Sequence, residues 1–208
     1  MANYVVAVTG GIASGKSAVT GLFTECGIMI ADADIAARKI VEAGQPALEE
    51  IANIFGPHLV VDGQLNRQAL RELVFDDYEA RKQLEAITHP RIRQLLIQEC
   101  KTATSPYAIV AIPLLAEGNR KHYDWLNRIL LIDVTRDTQK NRLLSRDKIS
   151  ESLADKMLDA QASRKQRLAI ANDVISNMHD LGSLKNCVKR LDQRYRELAA
   201  KALRAKTP

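Results

Sequence analysis

The sequence predicts an α/β fold, a parallel five-stranded sheet carrying helical insertions, on three observations. Five short apolar runs, near 4–8, 28–31, 107–112, 129–134 and 173–176, are each separated from the next by helical patterning. The segment between the second and third runs holds several helices and is longer than a simple crossover needs. Between the first run and the first helix lies Thr9-Gly10-Gly11-Ile12-Ala13-Ser14-Gly15-Lys16-Ser17, with glycines, lysine and serine at the spacing of a phosphate-binding loop.

The loop's residue types follow from its chemistry. Glycines let backbone N–H groups turn inward around phosphate oxygens, and the helix that starts here aims its positive dipole end at the same anion. The cradle is expected from Gly11, Ala13, Ser14, Gly15, Lys16, Ser17 and Ala18, with Lys16 reaching the β and γ phosphates of the ligand. The Ser17 hydroxyl is expected on Mg²⁺, which prefers oxygen ligands.

Beyond the first helix, Gly27–Ala31 reads as a buried strand that ends in Asp32-Ala33-Asp34. Two readings of this doublet stand together: one carboxylate caps the next helix, and the other, Asp34, takes an acceptor hydroxyl's proton or orients Mg²⁺ through water. Pro46–Phe55 is an amphipathic helix closed by Gly56-Pro57, Asp62-Gly63 marks a turn, and Leu65-Asn66-Arg67 opens another helix. Two further helices are expected over 80–88 and 90–104, split at His89-Pro90. His89 before a proline reads most simply as a structural hydrogen-bonding residue, and Arg67, Arg91 and Arg93 are read equally as part of the acceptor's cover or as solvated helix faces.

Tyr107–Ile112 is a strand buried on both faces, followed by Pro113-Leu114-Leu115-Ala116-Glu117, which is either a site wall or a plain loop. After the strand near 129–134 comes a basic helix with Gln139, Arg142 and Arg146, the two arginines on one face, then a helix from Ser150 to about Gln161. This pair reads as a lid whose arginines neutralise charge on a transferring phosphoryl group, or as a salt-bridged surface hairpin. Arg164 and Arg167 extend the basic zone. Asn172–Asn177 gives the last strand, and an amphipathic helix follows Asp180.

Composition sets the limits. With 208 residues, 46% hydrophobic and 26% charged, the chain can bury a full core as one ample domain. It lacks an apolar run of about 18 residues and a signal-like N-terminus, so a cytoplasmic protein without a membrane role is expected. Cys26, Cys100 and Cys187 are too far apart for a C-x-x-C pair and read as reduced thiols. Residues 136–208 carry 17 basic and 9 acidic side chains against 13 and 16 before them, which points to a polyanionic partner. Tyr195 is the only aromatic in that third, so small phosphorylated ligands are favoured over nucleic acid. No N-K-x-D segment supports a GTP switch.

Taken together, Gly10–Ser17, Asp32-Ala33-Asp34, Leu65-Asn66-Arg67, His89-Pro90, Pro113-Leu114-Leu115 with Glu117, Gln139 with Arg142 and Arg146, Gln161, and Asp173-Val174-Ile175 with Asn177 resemble the dephospho-CoA kinase family over about residues 3 to 200. The resemblance implies a P-loop NTPase fold and ATP-dependent phosphorylation of the ribose 3′-hydroxyl of dephospho-CoA, with Mg²⁺, as the last step of coenzyme A synthesis. It implies a core of about 1–34, 105–135 and 168–208, a helical CoA-binding subdomain of about 35–104 and a lid of about 136–167, in a monomer or weak homo-oligomer. Lys16, Asp34 and Arg142 are then catalytic, with Arg142 on the phosphates and Asn177 beside the adenine. Asp34, Leu65, Arg67, His89, Leu115, Glu117 and Arg146 are then the acceptor-binding set. Ala13 stands where the family commonly has glycine, and Ala116 where it often has a bulkier apolar residue. A nucleoside or nucleotide kinase is the alternative that shares the same core and lid.

Overall fold

A computed structural model of the chain describes residues 4–118, 120–178 and 180–205. It divides into two compact units, one of residues 1–31 and 100–208 and the other of residues 32–99.

The chain opens the first unit with strand β1 (Val5–Gly10), helix α1 (Lys16–Glu25) and strand β2 (Met29–Asp32). All six residues of β1 are buried, as expected of a strand covered on both faces. The second unit holds α2 (Ala33–Lys39), α3 (Pro46–Phe55), the short strands β3 (Val60–Val61) and β4 (Gln64–Leu65), α4 (Arg67–Asp76) and most of α5 (Tyr78–Thr102). The first unit resumes with β5 (Ala108–Ala111), β6 (Arg128–Asp133), α6 (Arg136–Asp147), α7 (Glu151–Asp159), α8 (Arg164–Ile170), β7 (Asp173–Ser176) and α9 (Leu181–Arg204).

The five predicted strands form one sheet in the order β2-β5-β1-β6-β7. β1 runs parallel to both β5 and β6, and β6 parallel to β7, as helical crossovers require. With β1 central and its neighbours reached in opposite directions, the loop after β1 sits at the crevice where such sheets hold ligands. Beneath it, Val6, Val8, Val19, Phe23, Ile109, Leu130 and Ile132 pack with Val188 and Tyr195 of α9. The Tyr195 ring meets Tyr107 edge-on at 5.6 Å and stacks on Phe23 at 6.2 Å. Its hydroxyl donates to Asp173 Oδ2 at 3.0 Å, and Asp173 also takes Arg128 and Arg194, so a buried carboxylate joins the starts of β6 and β7 to α9.

The second unit has its own core, from Ile40, Val41, Ala47, Ile51, Leu59, Leu70 and Ile87. Asp62 and Gly63 both take positive φ, 51° and 74°, and make the two-residue turn of the β3–β4 hairpin. Asn66 caps α4 by accepting from the Ala69 N–H at 3.1 Å.

His89-Pro90 does not split two helices, because α5 runs unbroken from Tyr78 to Thr102 with Pro90 inside it. Proline removes one N–H donor and crowds the preceding turn. On either side of it, Thr88 Oγ1 donates to Leu84 O at 2.8 Å and Arg91 Nη1 to Ile87 O at 2.6 Å, while the carbonyl that loses the Pro90 donor is that of Ala86. Arg91 is further fixed by Glu50 Oε2 at 2.6 Å, so this arginine is no simple solvated face.

Candidate active site

The phosphate loop is built as its spacing requires. Gly15, the N-cap of α1, has φ 89° and ψ 28°, a left-handed conformation that opens the first turn of the helix toward the loop. Because α1 begins at Lys16, its first N–H groups lack intrahelical acceptors. Among the described residues, no protein group accepts from the N–H of Ala13, Gly15, Lys16 or Ser17. These donors and the helix dipole form the cradle of an anion site. Ser14 Oγ is buried and has no hydrogen-bond partner among the described residues.

The outward-facing groups of the loop are held from behind by four side chains. Gln139 Nε2 donates to Ile12 O at 2.6 Å, and Gln161 Oε1 accepts from the Ile12 N–H at 2.8 Å. Arg142 Nη1 donates to Ala13 O and Ser14 O, both at 3.3 Å, and its Nη2 to Asn177 O at 2.8 Å. Asn177 Nδ2 donates to Ser14 O at 2.8 Å. With the Ile12, Ala13 and Ser14 carbonyls and the Ile12 N–H bound by these side chains, the loop peptides are fixed and the N–H groups of Ala13, Gly15, Lys16 and Ser17 stay available to an anion. The apolar side of the loop is fixed as well, since Ile12 and Ala13 pack on Leu143, Ala154 and Leu158 between α6 and α7. These two helices are also joined by ion pairs of Arg136 with Asp155 and Asp159, and of Lys140 with Glu151 and Asp155.

Other anticipated residues take varied positions. Arg146, one turn beyond Arg142, forms an exposed pair with Asp147 at 2.7 Å and is not among the residues that hold the loop. Leu115 is buried, and Glu117 Oε1 accepts from the Ala162 N–H at 2.8 Å, which ties the segment after β5 to the link between α7 and α8. In the second unit, Asp32 caps α2 by accepting from the Asp34 and Ile35 N–H groups at 2.8 and 3.3 Å. That leaves the Asp34 carboxylate exposed in the first turn. Leu65 and Arg67 line a cavity of about 270 Å³ with Val41, Glu42, Ala43 and Gln64. His89 is exposed on α5.

A sequence profile described as dephospho-CoA kinase matches residues 4–182. The chain belongs to the dephospho-CoA kinase family. It is 52% identical over 198 residues to the dephospho-CoA kinase of Xanthomonas campestris pv. campestris (strain 8004), covering 94% of this chain and 95% of that one. It is 42% identical over 206 residues to the enzyme of Escherichia coli (strain K12), covering 99% of both. The solved dephospho-CoA kinase from Campylobacter jejuni superimposes with a TM-score of 0.68 at 28% identity, over 95% of this chain and 98% of that one. The five-stranded sheet and its loop are therefore the P-loop kinase fold, and the chain is a kinase.

Sequence reasoning named Gln139 and Gln161 without giving them a role, and left Arg167 out of the site. Gln139 lies three residues before Arg142, hence on the same helix face, and that spacing is the one signal that ties it to the loop. The Gln161 and Arg167 contacts come from the folded path of the chain and leave no local pattern.

Proposed function

We propose that the protein transfers the γ-phosphoryl group of ATP to the ribose 3′-hydroxyl of dephospho-CoA, giving coenzyme A and ADP. The observation that carries the reading is the braced loop, with the N–H groups of Ala13, Gly15, Lys16 and Ser17 left without a protein acceptor among the described residues, in a chain of this family. Lys16 and the loop amides bind the β and γ phosphates, and Arg142 stiffens the loop while presenting positive charge there. Asn177 borders the adenine.

In the transfer, the acceptor's 3′-oxygen bonds to the γ phosphorus as the bond to the β,γ-bridging oxygen breaks. The hydroxyl proton passes to the Asp34 carboxylate, which no other hydrogen bond ties up among the described residues. Leu65, Arg67, His89, Leu115, Glu117 and Arg146 complete the acceptor-binding set, residues 35–104 forming the acceptor subdomain and 136–167 the lid.

The described residues contain no cluster of three or more His, Cys, Asp or Glu side chains able to hold a metal. The Ser17 hydroxyl, an oxygen donor of the kind Mg²⁺ prefers, would hold the ion at the end of the loop. Bound there, the ion would supply neutralisation of phosphate charge. No helix among the described residues is long and apolar enough to cross a membrane. We place the enzyme in the cytoplasm, as a monomer or weak homo-oligomer without a nucleic-acid partner.

The test is ADP release with ATP and Mg²⁺ against dephospho-CoA, AMP, dCMP, adenosine and no acceptor. Turnover with dephospho-CoA alone, with coenzyme A as product, is expected. Lys16→Ala should abolish it, and Asp34→Asn should lower kcat far more than ATP affinity. Turnover with a nucleotide instead would overturn the acceptor assignment and keep the P-loop kinase.

A further inference from the structure

Of the five arginines along α6 and α8, four have evident employment. Arg136 pairs with Asp155 and Asp159, Arg146 with Asp147, Arg164 with both oxygens of Asp133, and Arg142 holds the loop carbonyls. Arg167 differs from all of them. It is only 9% exposed, yet no carboxylate lies within ion-pair distance of it among the described residues. Its one hydrogen bond runs from Nη1 to Ala162 O, so most of the five-donor guanidinium fork has no protein acceptor among the described residues.

Its position is as specific as its isolation. A Cβ on Gly11 would stand 2.4 Å from Gln139 Nε2 and 3.1 Å from both the guanidinium carbon and Nη2 of Arg167, so this side chain lies against the start of the phosphate loop. Arg167 also lines a cavity of about 200 Å³ with Val134, Gln139, Gln161, Ser163 and Arg164. The groups facing it are Glu117, Asp133 and Arg164. Both acidic ones are already engaged, Glu117 by the Ala162 N–H and Asp133 by Arg164. Burial pulls the Arg167 guanidinium below its ordinary value, against the nearby charges of Glu117 and Asp133. A buried cation with spare donors, beside a cavity and touching a phosphate cradle, is arranged for an anion that the protein does not itself provide.

We infer that Arg167 is a further catalytic residue of this kinase, whose guanidinium binds a phosphoryl oxygen of the ligand seated at the loop. The inference rests on reading the loop as the phosphate site. Two sources share that chemistry, the polyphosphate of the nucleotide donor and the phosphate groups of the acceptor.

The experiment compares wild type, Arg167→Gln, Arg167→Lys and Arg167→Ala, with Arg164→Gln as a neighbouring control. Calorimetric Kd values for ATP and ADP, measured without acceptor, are set beside kcat, both KM values and the melting temperature. Arg167→Gln should lower kcat by about 100-fold, the size typical of losing one preorganised donor at a transition state. Arg167→Lys should recover part of that loss, and added guanidinium ion should raise the turnover of Arg167→Ala without raising its melting temperature, which a merely structural side chain would not do. Loss of ATP and ADP affinity of tenfold or more assigns the contact to the donor. Unchanged nucleotide affinity with a tenfold higher acceptor KM assigns it to the acceptor.

If every variant that melts near wild type keeps its Kd, KM and kcat within threefold, the inference is overturned. If the glutamine and alanine variants do not fold, the lysine variant decides: wild-type kinetics there overturn it equally. The ATP-binding measurement needs no acceptor, so it tests Arg167 even if dephospho-CoA proves to be the wrong substrate.

Discussion

Asn177 and Gly15 compete for one volume: the side-chain amide nitrogen of Asn177 sits 2.2 Å from where a Cβ on residue 15 would be, and from there it donates to Ser14 O at 2.8 Å. The end of the last strand is thus fitted to a missing side chain in the phosphate loop. Gly15→Ala would both strain a backbone at φ 89° and expel the Asn177 amide. The expected result is ATP affinity lowered by about 100-fold, measured by calorimetry, from some 3 kcal/mol of lost cradle geometry. Wild-type affinity in a folded Gly15→Ala variant would show that the loop tolerates a different brace.

Ala13 makes the opposite case. It has φ 58° without being glycine, a conformation that costs an L-residue about 1 kcal/mol. Ala13→Gly relieves that strain but adds unfolded-state entropy of about the same size. The melting temperature should therefore stay within about 4 °C of wild type, with the ATP KM unchanged. Ala13→Val, β-branched at the same φ, should melt clearly lower.

The Ile12 peptide groups give a third prediction. Gln139→Leu leaves Ile12 O without its donor, and Gln161→Leu leaves the Ile12 N–H without its acceptor. An unpaired, partly buried polar group costs about 1–3 kcal/mol. Each variant should lose stability in denaturant titrations and bind ATP more weakly, and the double variant should lose less than the sum, because both act on one residue.

The strands were legible because they are short, apolar and bounded by helical patterning, and the phosphate loop because its chemistry fixes residue types at fixed spacing. The unbroken α5 was not legible: Pro90 is a breaker by pattern, and the packing of Leu84, Ile87 and Ile92 into the core of the second unit on both sides of it is tertiary context that no periodicity records. The β3–β4 hairpin has strands of two residues each, too short for alternation to register, though Asp62-Gly63 announced its turn. Likewise the brace of the loop depends on pairs 127 and 149 residues apart, which only the folded sheet brings together.

A fourth prediction concerns acid. Burial pushes the Asp173 carboxyl up, but hydrogen bonds from Arg128 and Tyr195 and the charges of Arg128 and Arg194 outweigh it and hold the group below the usual carboxylate range. A carboxyl depressed in the folded state stabilises the protein above its unfolded value, near pH 4, and that contribution fades as pH falls through the folded value. Asp173→Asn should cost about 3 kcal/mol at neutral pH, by leaving its arginines without their shared carboxylate. The gap in melting temperature between wild type and Asp173→Asn should be flat from pH 7 to about 5 and should narrow only in stronger acid. A gap that is constant down to the lowest pH would assign the effect to packing.

The same knot has a consequence for how the chain is made. The core under the sheet includes Tyr195 and Ala199, and the carboxylate that starts β7 is bound by Arg194 and Tyr195. During synthesis, β1, α1 and β2 emerge first, yet they must wait until Tyr195 and Ala199 are made before their shared core can close. Residues 32–99, with an apolar centre of their own, have every partner in hand far earlier. On the ribosome the insertion can therefore gain structure before the sheet that flanks it in sequence. A nascent chain stalled before Tyr195 should be digested by protease in its N-terminal thirty residues while the stretch from 46 to 99 resists.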